Sequence, residues 1–169
     1  MNKVYLKRFM RDIHNDKKAE QENKYIKYDD RYLISNNCSV VLLNSDYGVL
    51  AENNGKIKDT IKNIYEDFRD RFCLNAVDIT DEINNFNASE DEEEKDFKFK
   101  KEYACDIKEE KEIINFGIDL KKLETIKKMI KADKIEIHTK FGFNSYMYVI
   151  EIKNTKTNEI GYLLPIKIY

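Results

Sequence analysis

Tryptophan is missing from this chain, proline occurs once and glycine five times. So few breakers exclude a collagen-like, linker-rich or low-complexity chain. Cysteine is scarce as well: Cys38, Cys73 and Cys105 are an odd set with no close spacing. Disulfide scaffolds and zinc sites need paired cysteines at short intervals, so these read as core or near-surface thiols. The two histidines, His14 and His138, have no Cys, Asp or Glu at metal-ligand spacing and sit in no nucleophile motif. Gly48, Gly55, Gly117, Gly142 and Gly161 are isolated, which excludes a Gly-rich phosphate loop. No metal, no cofactor and no catalytic residue is therefore expected. No window approaches the ~20 apolar residues that cross a bilayer, and the stretch from Met1 to Arg8 lacks a signal-peptide apolar segment. The expectation is a cytoplasmic protein with no membrane partner, in the host cytoplasm if the chain is viral.

What the chain does have is apolar content and charge. The 169 residues are 41 % hydrophobic and 37 % charged, enough for one real core under a heavily solvated surface. Thirty basic and 32 acidic residues leave a net charge of −2, so where the charges sit matters more than their sum. Carboxylate pairs abound among so many acids, and none stands out as a general acid–base couple. The reading is a non-enzymatic binding protein.

Leu6, Phe9, Met10 and Ile13 recur at i, i+3, i+4 and i+7, which predicts a helix over Val4 to His14. Lys7, Arg8 and Arg11 fall on its other side. Three strand-like runs follow, Lys24 to Tyr28, Tyr32 to Ser35 and Ser39 to Leu43, divided by the turn residues Asp29-Asp30 and Asn36-Asn37. A second helix is expected over Ile57 to Phe72. Residues Asn84 to Asp96, with Glu90 to Glu94, read as a mobile acidic loop. Phe97 to Ile107 alternates like a half-buried strand, and the apolar run Ile113 to Ile118 ends at Asp119, a good N-cap for a helix Leu120 to Lys131. Leu123, Ile126 and Ile130 mark its buried side, with Lys121, Thr125 and Lys128 opposite and Lys122 on a flank. Strands Lys134 to Thr139, Tyr146 to Lys153 and Ile160 to Ile168 close the chain, with Pro165 at an edge or bulge. A helix followed by three strands thus occurs twice. The expected class is α+β, a doubled βαβββ unit with two helices packed on one face of antiparallel sheets. It would form one domain over 1–169, with halves 1–50 and 97–169 around an extra helix and acidic loop at 51–96.

A doubled βαβββ unit is the plan of a DNA sliding-clamp domain. Ile113-Ile114-Asn115-Phe116-Gly117-Ile118-Asp119-Leu120 resembles the strand-to-helix junction of a bacterial-type clamp, and Lys134-Ile135-Glu136-Ile137 the strand after that helix. The closing Gly161-Tyr162-Leu163-Leu164-Pro165-Ile166-Lys167-Ile168 resembles the family's last strand. The first half fits in outline only, and the chain supplies one domain where a clamp ring uses several. The resemblance implies a role in DNA replication or repair, for a viral or mobile-element relative. It implies that Lys7, Arg8, Arg11, Lys121, Lys122 and Lys128 meet the phosphates of double-stranded DNA without reading sequence. It also implies that Leu164, Pro165, Ile166 and Lys167 line a groove for a protein partner such as a polymerase.

A rival reading starts from the acidic run. Glu92, Glu93 and Glu94, with Asp106, Glu109, Glu110 and Glu112 nearby, would let a viral anti-defence inhibitor (anti-CRISPR-type) imitate DNA and occupy a host nuclease. The oligomeric state is open in either reading.

Overall fold

The computed structural model describes residues 2–14, 24–36, 38–45, 51–52, 57–70, 73–88, 96–105, 110–142 and 145–166. Four helices and ten strands are described: α1 (Lys3–His14), β1 (Lys24–Tyr28), β2 (Arg31–Asn36), β3 (Ser39–Leu43), β4 (Ala51–Glu52), α2 (Ile57–Asp70), β5 (Cys73–Asp78), α3 (Thr80–Ala88), β6 (Asp96–Cys105), β7 (Glu110–Asp119), α4 (Leu120–Ile130), β8 (Lys134–Gly142), β9 (Ser145–Lys153) and β10 (Ile160–Leu163). The class is α+β. The eight-stranded sheet runs β4-β1-β2-β3-β10-β9-β8-β5, and β6 and β7 form a separate hairpin. Every pairing in it is antiparallel except that of β1 with the two-residue β4. A helix followed by a three-strand meander occurs twice, as α1-β1-β2-β3 and α4-β8-β9-β10, and the meanders join where β3 pairs with β10. Of these two repeated helices, α4 has a strand, β7, running directly into it.

Side-chain alternation sends each strand's residues to two different cores. Val41 and Leu43 of β3, Ile150 and Ile152 of β9, Ile135 and Ile137 of β8 and Leu163 of β10 pack with Leu6 and Phe9 of α1 and with Leu123, Ile126, Met129 and Ile130 of α4. Val40 and Leu42 of β3, Ile26, Leu33, Val149 and Tyr162 pack instead with Ile61, Tyr65 and Phe68 of α2. Helices therefore cover both faces around β3, which explains why all five of its residues are buried and why Val40 to Leu43 are apolar in succession. The helices α1 and α4 lie side by side. The Asn2 N–H donates to Met129 O at 2.8 Å, so α1 begins beside the end of α4.

Local chemistry sets the helix ends. Asp119 caps α4 as its sequence predicts, its Oδ1 accepting from the Lys122 N–H at 3.0 Å. At the other end Lys131 adopts a left-handed conformation, and the buried Asn154 amide donates to Ile130 O and Lys131 O at 2.8 and 3.0 Å. Asn154 Oδ1 in turn accepts from the Lys156 and Thr157 N–H groups, so one side chain closes both α4 and the β9–β10 turn.

Several expectations need correction. Asn84 to Ala88 belong to α3 rather than to a loop: Asp78 Oδ1 accepts from the Thr80 N–H at 2.9 Å, and Ile79 and Ile83 are fully buried. An N-cap and a tertiary anchor outweigh the weak helix propensity of Asn84, Asn85 and Asn87. Thr125 points inward rather than outward, and its hydroxyl donates to Lys121 O at 2.7 Å. The last strand stops at Leu163. Its continuation leaves the sheet, with Leu164 N–H donating to Cys38 O and Ile166 exchanging two hydrogen bonds with Gly117 at 2.9 and 3.0 Å. Pro165 lies between them and has no N–H to continue the ladder. β4 and β5 were not foreseen; β5 is an edge strand whose register slips opposite Thr139. No helix among the described residues is long and apolar enough to cross a membrane.

Gly161 tests the seam between β10 and α4. A Cβ there would collide with Ile126 Cγ2. Gly161→Ala should therefore lower stability by about 1–3 kcal/mol in urea unfolding. Ile126→Ala leaves a cavity costing about 2–5 kcal/mol alone, and combining the two should cost less than the sum, because the same methyl is relieved in both. Strict additivity would show that the two sites are not in contact.

Candidate functional site

Charge is distributed unevenly over this fold. α1 carries Lys3, Lys7, Arg8 and Arg11 against Asp12, and α4 carries Lys121, Lys122, Lys127 and Lys128 against Glu124. A chain of net charge −2 thus has one strongly positive helix layer. Lys7, Lys121 and Lys128 are exposed, whereas Arg8 and Lys122 are half-buried; the Arg11 side chain lies outside the described residues. The pairing of α1 with α4 brings these groups into one layer although they are far apart in sequence.

The ammonium groups differ in how they are held. Lys128 Nζ is 2.6 Å from Glu124 Oε1 and 5.5 Å from the Tyr5 ring centroid. Its hydrogen bond to Glu124 pushes its pKa up. Lys122 Nζ is 3.4 Å from Asp119 Oδ2. Burial works against its charge, but Cys38 and Asp119 outweigh burial and its pKa is raised. Such exposed or half-exposed pairs contribute little stability, so both cations can exchange partners cheaply.

Leu164, Pro165 and Ile166 are half-buried, and the backbone of Leu164 and Ile166 is engaged by Cys38 and Gly117. Leu164 also packs on the α2-side core. Lys167 and the acidic residues Glu92, Glu93 and Glu94 lie outside the described residues.

A second group was not singled out from the sequence. On the α2 side of the sheet, Glu136 and His138 of β8 and Glu151 of β9 bring one ligand atom each to within 4.8 Å of one another. Register places them: Glu136 lies opposite Glu151, which lies opposite Tyr162, while Asp78 on the edge strand lies opposite Glu136 from the other side. His138 Nε2 is 3.9 Å from Glu151 Oε2, and Lys134 Nζ is 2.7 Å from Glu136 Oε1. The Tyr162 hydroxyl donates to the buried Glu151. Burial pushes the Glu151 carboxyl up, against the pull of Lys153, and pushes the His138 imidazole down. Burial, followed by the Glu151 charge, drives the Tyr162 phenol far above its usual value. The signal in sequence was the alternation Glu136-Ile137-His138, whose partner Glu151 only the hairpin register supplies.

No protein-family model, curated protein or solved structure matches the chain.

The two titratable groups bend the pH profile of stability in opposite senses. Glu151 has a folded pKa above its ordinary value of 4.5, so its contribution is complete below that pH and is lost as pH rises through the folded value. His138 has a folded pKa below 6.5, so its contribution is present above pH 6.5 and is lost as pH falls. Glu151→Gln should remove the loss on the alkaline side, and His138→Gln should remove the loss on the acid side. Urea midpoints between about pH 4.5 and 8 check both; parallel profiles for wild type and both variants would refute the assignment.

Proposed function

We propose that this chain is a non-enzymatic binding protein, like a sliding-clamp domain, that holds double-stranded DNA through phosphate contacts from α1 and α4. The observation that carries this reading is the helix layer itself. Two adjacent helices from different halves of the chain concentrate lysine and arginine on one side of a protein with net negative charge. Basic groups near a polyanion release condensed counterions, and that release favours binding without any base being read. Lys and Arg stems run along the helix surface and keep their charged heads in water, where a backbone can meet them. The resemblance of the β7–α4 junction and of the closing segment to a bacterial-type clamp supports the same role in replication or repair. Lys7 and Lys121 serve as the principal contacts, Arg8 and Lys122 flank them, and Lys128 joins by leaving Glu124.

Duplex affinity should fall linearly in log–log form as salt rises, with a slope of roughly −0.9 per phosphate contact. Lys7→Ala and Lys121→Ala should each flatten that slope by about one unit, equally for duplexes of different sequence. Glu124→Gln should steepen it, by freeing Lys128. Lys62→Ala, at an exposed lysine of α2 on the opposite side of the sheet, is the control and should leave it unchanged. Fluorescence anisotropy over a salt series reads all four. Absence of duplex binding at low salt would rule the reading out.

A further inference from the structure

Outside the basic helix layer, polar groups gather at the buried Glu159 and at the Glu136–His138–Glu151 group. Among the described residues, the latter brings three ligand atoms of metal-binding type together. We infer that Glu136, His138 and Glu151 form a binding site for a divalent transition-metal ion of the zinc or manganese class.

The chemistry of the donors selects the class. One imidazole nitrogen and two carboxylate oxygens suit zinc, manganese or ferrous iron, whereas magnesium and calcium take oxygen alone and soft ions take thiolate. Geometry is close to what such an ion needs. A point central to three atoms no more than 4.8 Å apart is at most about 2.8 Å from each, against ~2.0–2.2 Å for zinc bonds to nitrogen and oxygen. Closing that gap takes a shift of under roughly 1 Å per ligand atom, within the reach of glutamate side-chain torsions, while β8 and β9 stay in register.

Two further features of the site point the same way. Glu136 and Glu151 are directly opposite one another on neighbouring strands, an arrangement that like charges make unfavourable. An ion between them converts that repulsion into shared attraction. Glu151 is also held from behind by the Tyr162 hydroxyl, the kind of outer-shell partner that fixes a ligating carboxylate. Lys134 Nζ lies 2.7 Å from Glu136 Oε1, the carboxylate an ion would share. Metal and Lys134 are therefore competitors, which a purely structural ion pair would not make them. The site is on the α2 side of the sheet, away from the α1–α4 layer, and it stands whether or not DNA binds there.

The test uses the full chain, freed of metal by chelation and dialysis, titrated calorimetrically with zinc chloride and separately with manganese chloride. One ion per chain is expected to bind. His138→Ala should weaken binding by more than about tenfold, since losing a ligand exceeds the loss of an outer-shell partner. Lys134→Gln keeps all three ligands and should bind more tightly by at least about threefold, the loss of a competing charge near a surface. Metal should also raise the thermal midpoint of wild type and of Lys134→Gln, while leaving that of a folded His138→Ala unchanged. Absence of binding, retention of full affinity in His138→Ala, or unchanged or weakened binding in Lys134→Gln would each overturn the site.

Discussion

β3 and β10 come from opposite ends of the chain, and their antiparallel pairing from Ile160↔Leu42 to Leu163↔Ser39 turns two separate three-strand meanders into one sheet. Each meander alone has an apolar face and one helix, too little to bury both. Joined, they present a continuous surface on which α1 and α4 lie together, and the helix layer exists only because that seam closes. The seam is also tight: Gly161 passes directly beneath Ile126, so α4 sits closer to β10 than a side chain on that residue would allow. Closing a contact between chain ends costs loop entropy that the contact itself must offset. The burial of Val41, Leu163 and Ile126 at the junction supplies the compensation.

The two sides of this sheet are chemically unlike. One side is mainly aliphatic beneath α1 and α4, with Tyr25 and Tyr32 on β1 and β2 and the basic groups displaced outward onto the helices. The other side is aromatic beneath α2, where Tyr65 lies 5.8 Å and Phe68 6.1 Å from the Tyr162 ring. Beyond α2 the same side becomes a charged band, in which Asp78, Glu136 and Glu151 lie in one cross-strand row and Lys134 and Lys153 in the next. That division keeps a carboxylate-rich band away from the helix layer. Acids placed among Lys7, Arg8 and Lys121 would cancel the field that a polyanion responds to. Glu124 is the acidic side chain of α4 itself, and it is spent on Lys128.

Tyr162 connects these regions. It lies on the strand that closes the seam, its ring belongs to the α2-side core, and its hydroxyl reaches Glu151. A buried carboxylate is costly unless hydrogen-bonded, and Tyr162 is one of the groups that make Glu151 tolerable. The seam residue that builds the core therefore also orients a ligand of the Glu–His–Glu group. Removing the Tyr162 hydroxyl would affect the site through Glu151 rather than through the fold.

The amino-acid sequence alone determined the local elements that carry strong periodicity. The stripe of Leu6 and Phe9 specified α1, Asp119 specified where α4 starts, and the run Ser39 to Leu43 specified a strand, though not that helices would cover both its faces. These are short-range effects, in which spacing and capping act within a turn or a strand. The same holds for the basic side chains of α1 and α4, whose identity needs no fold to be read. What tertiary structure decided was adjacency and direction. Thr125 looks outward by sequence yet is buried, because helix–sheet packing accepts a small side chain whose hydroxyl bonds within its own helix. Thr80 to Ala88 becomes a helix because Ile79 and Ile83 find a core and Asp78 caps it. Pro165 ends β10 rather than decorating it, since Gly117 and Cys38 accept and donate the backbone bonds that β9 no longer shares. The Glu136–His138–Glu151 group is the furthest from sequence, since it rests on the register that sets β8 opposite β9. A slip of one residue would turn Glu151 to the aliphatic side and Ile150 or Ile152 to the charged one, and burial of those isoleucines is what forbids the slip.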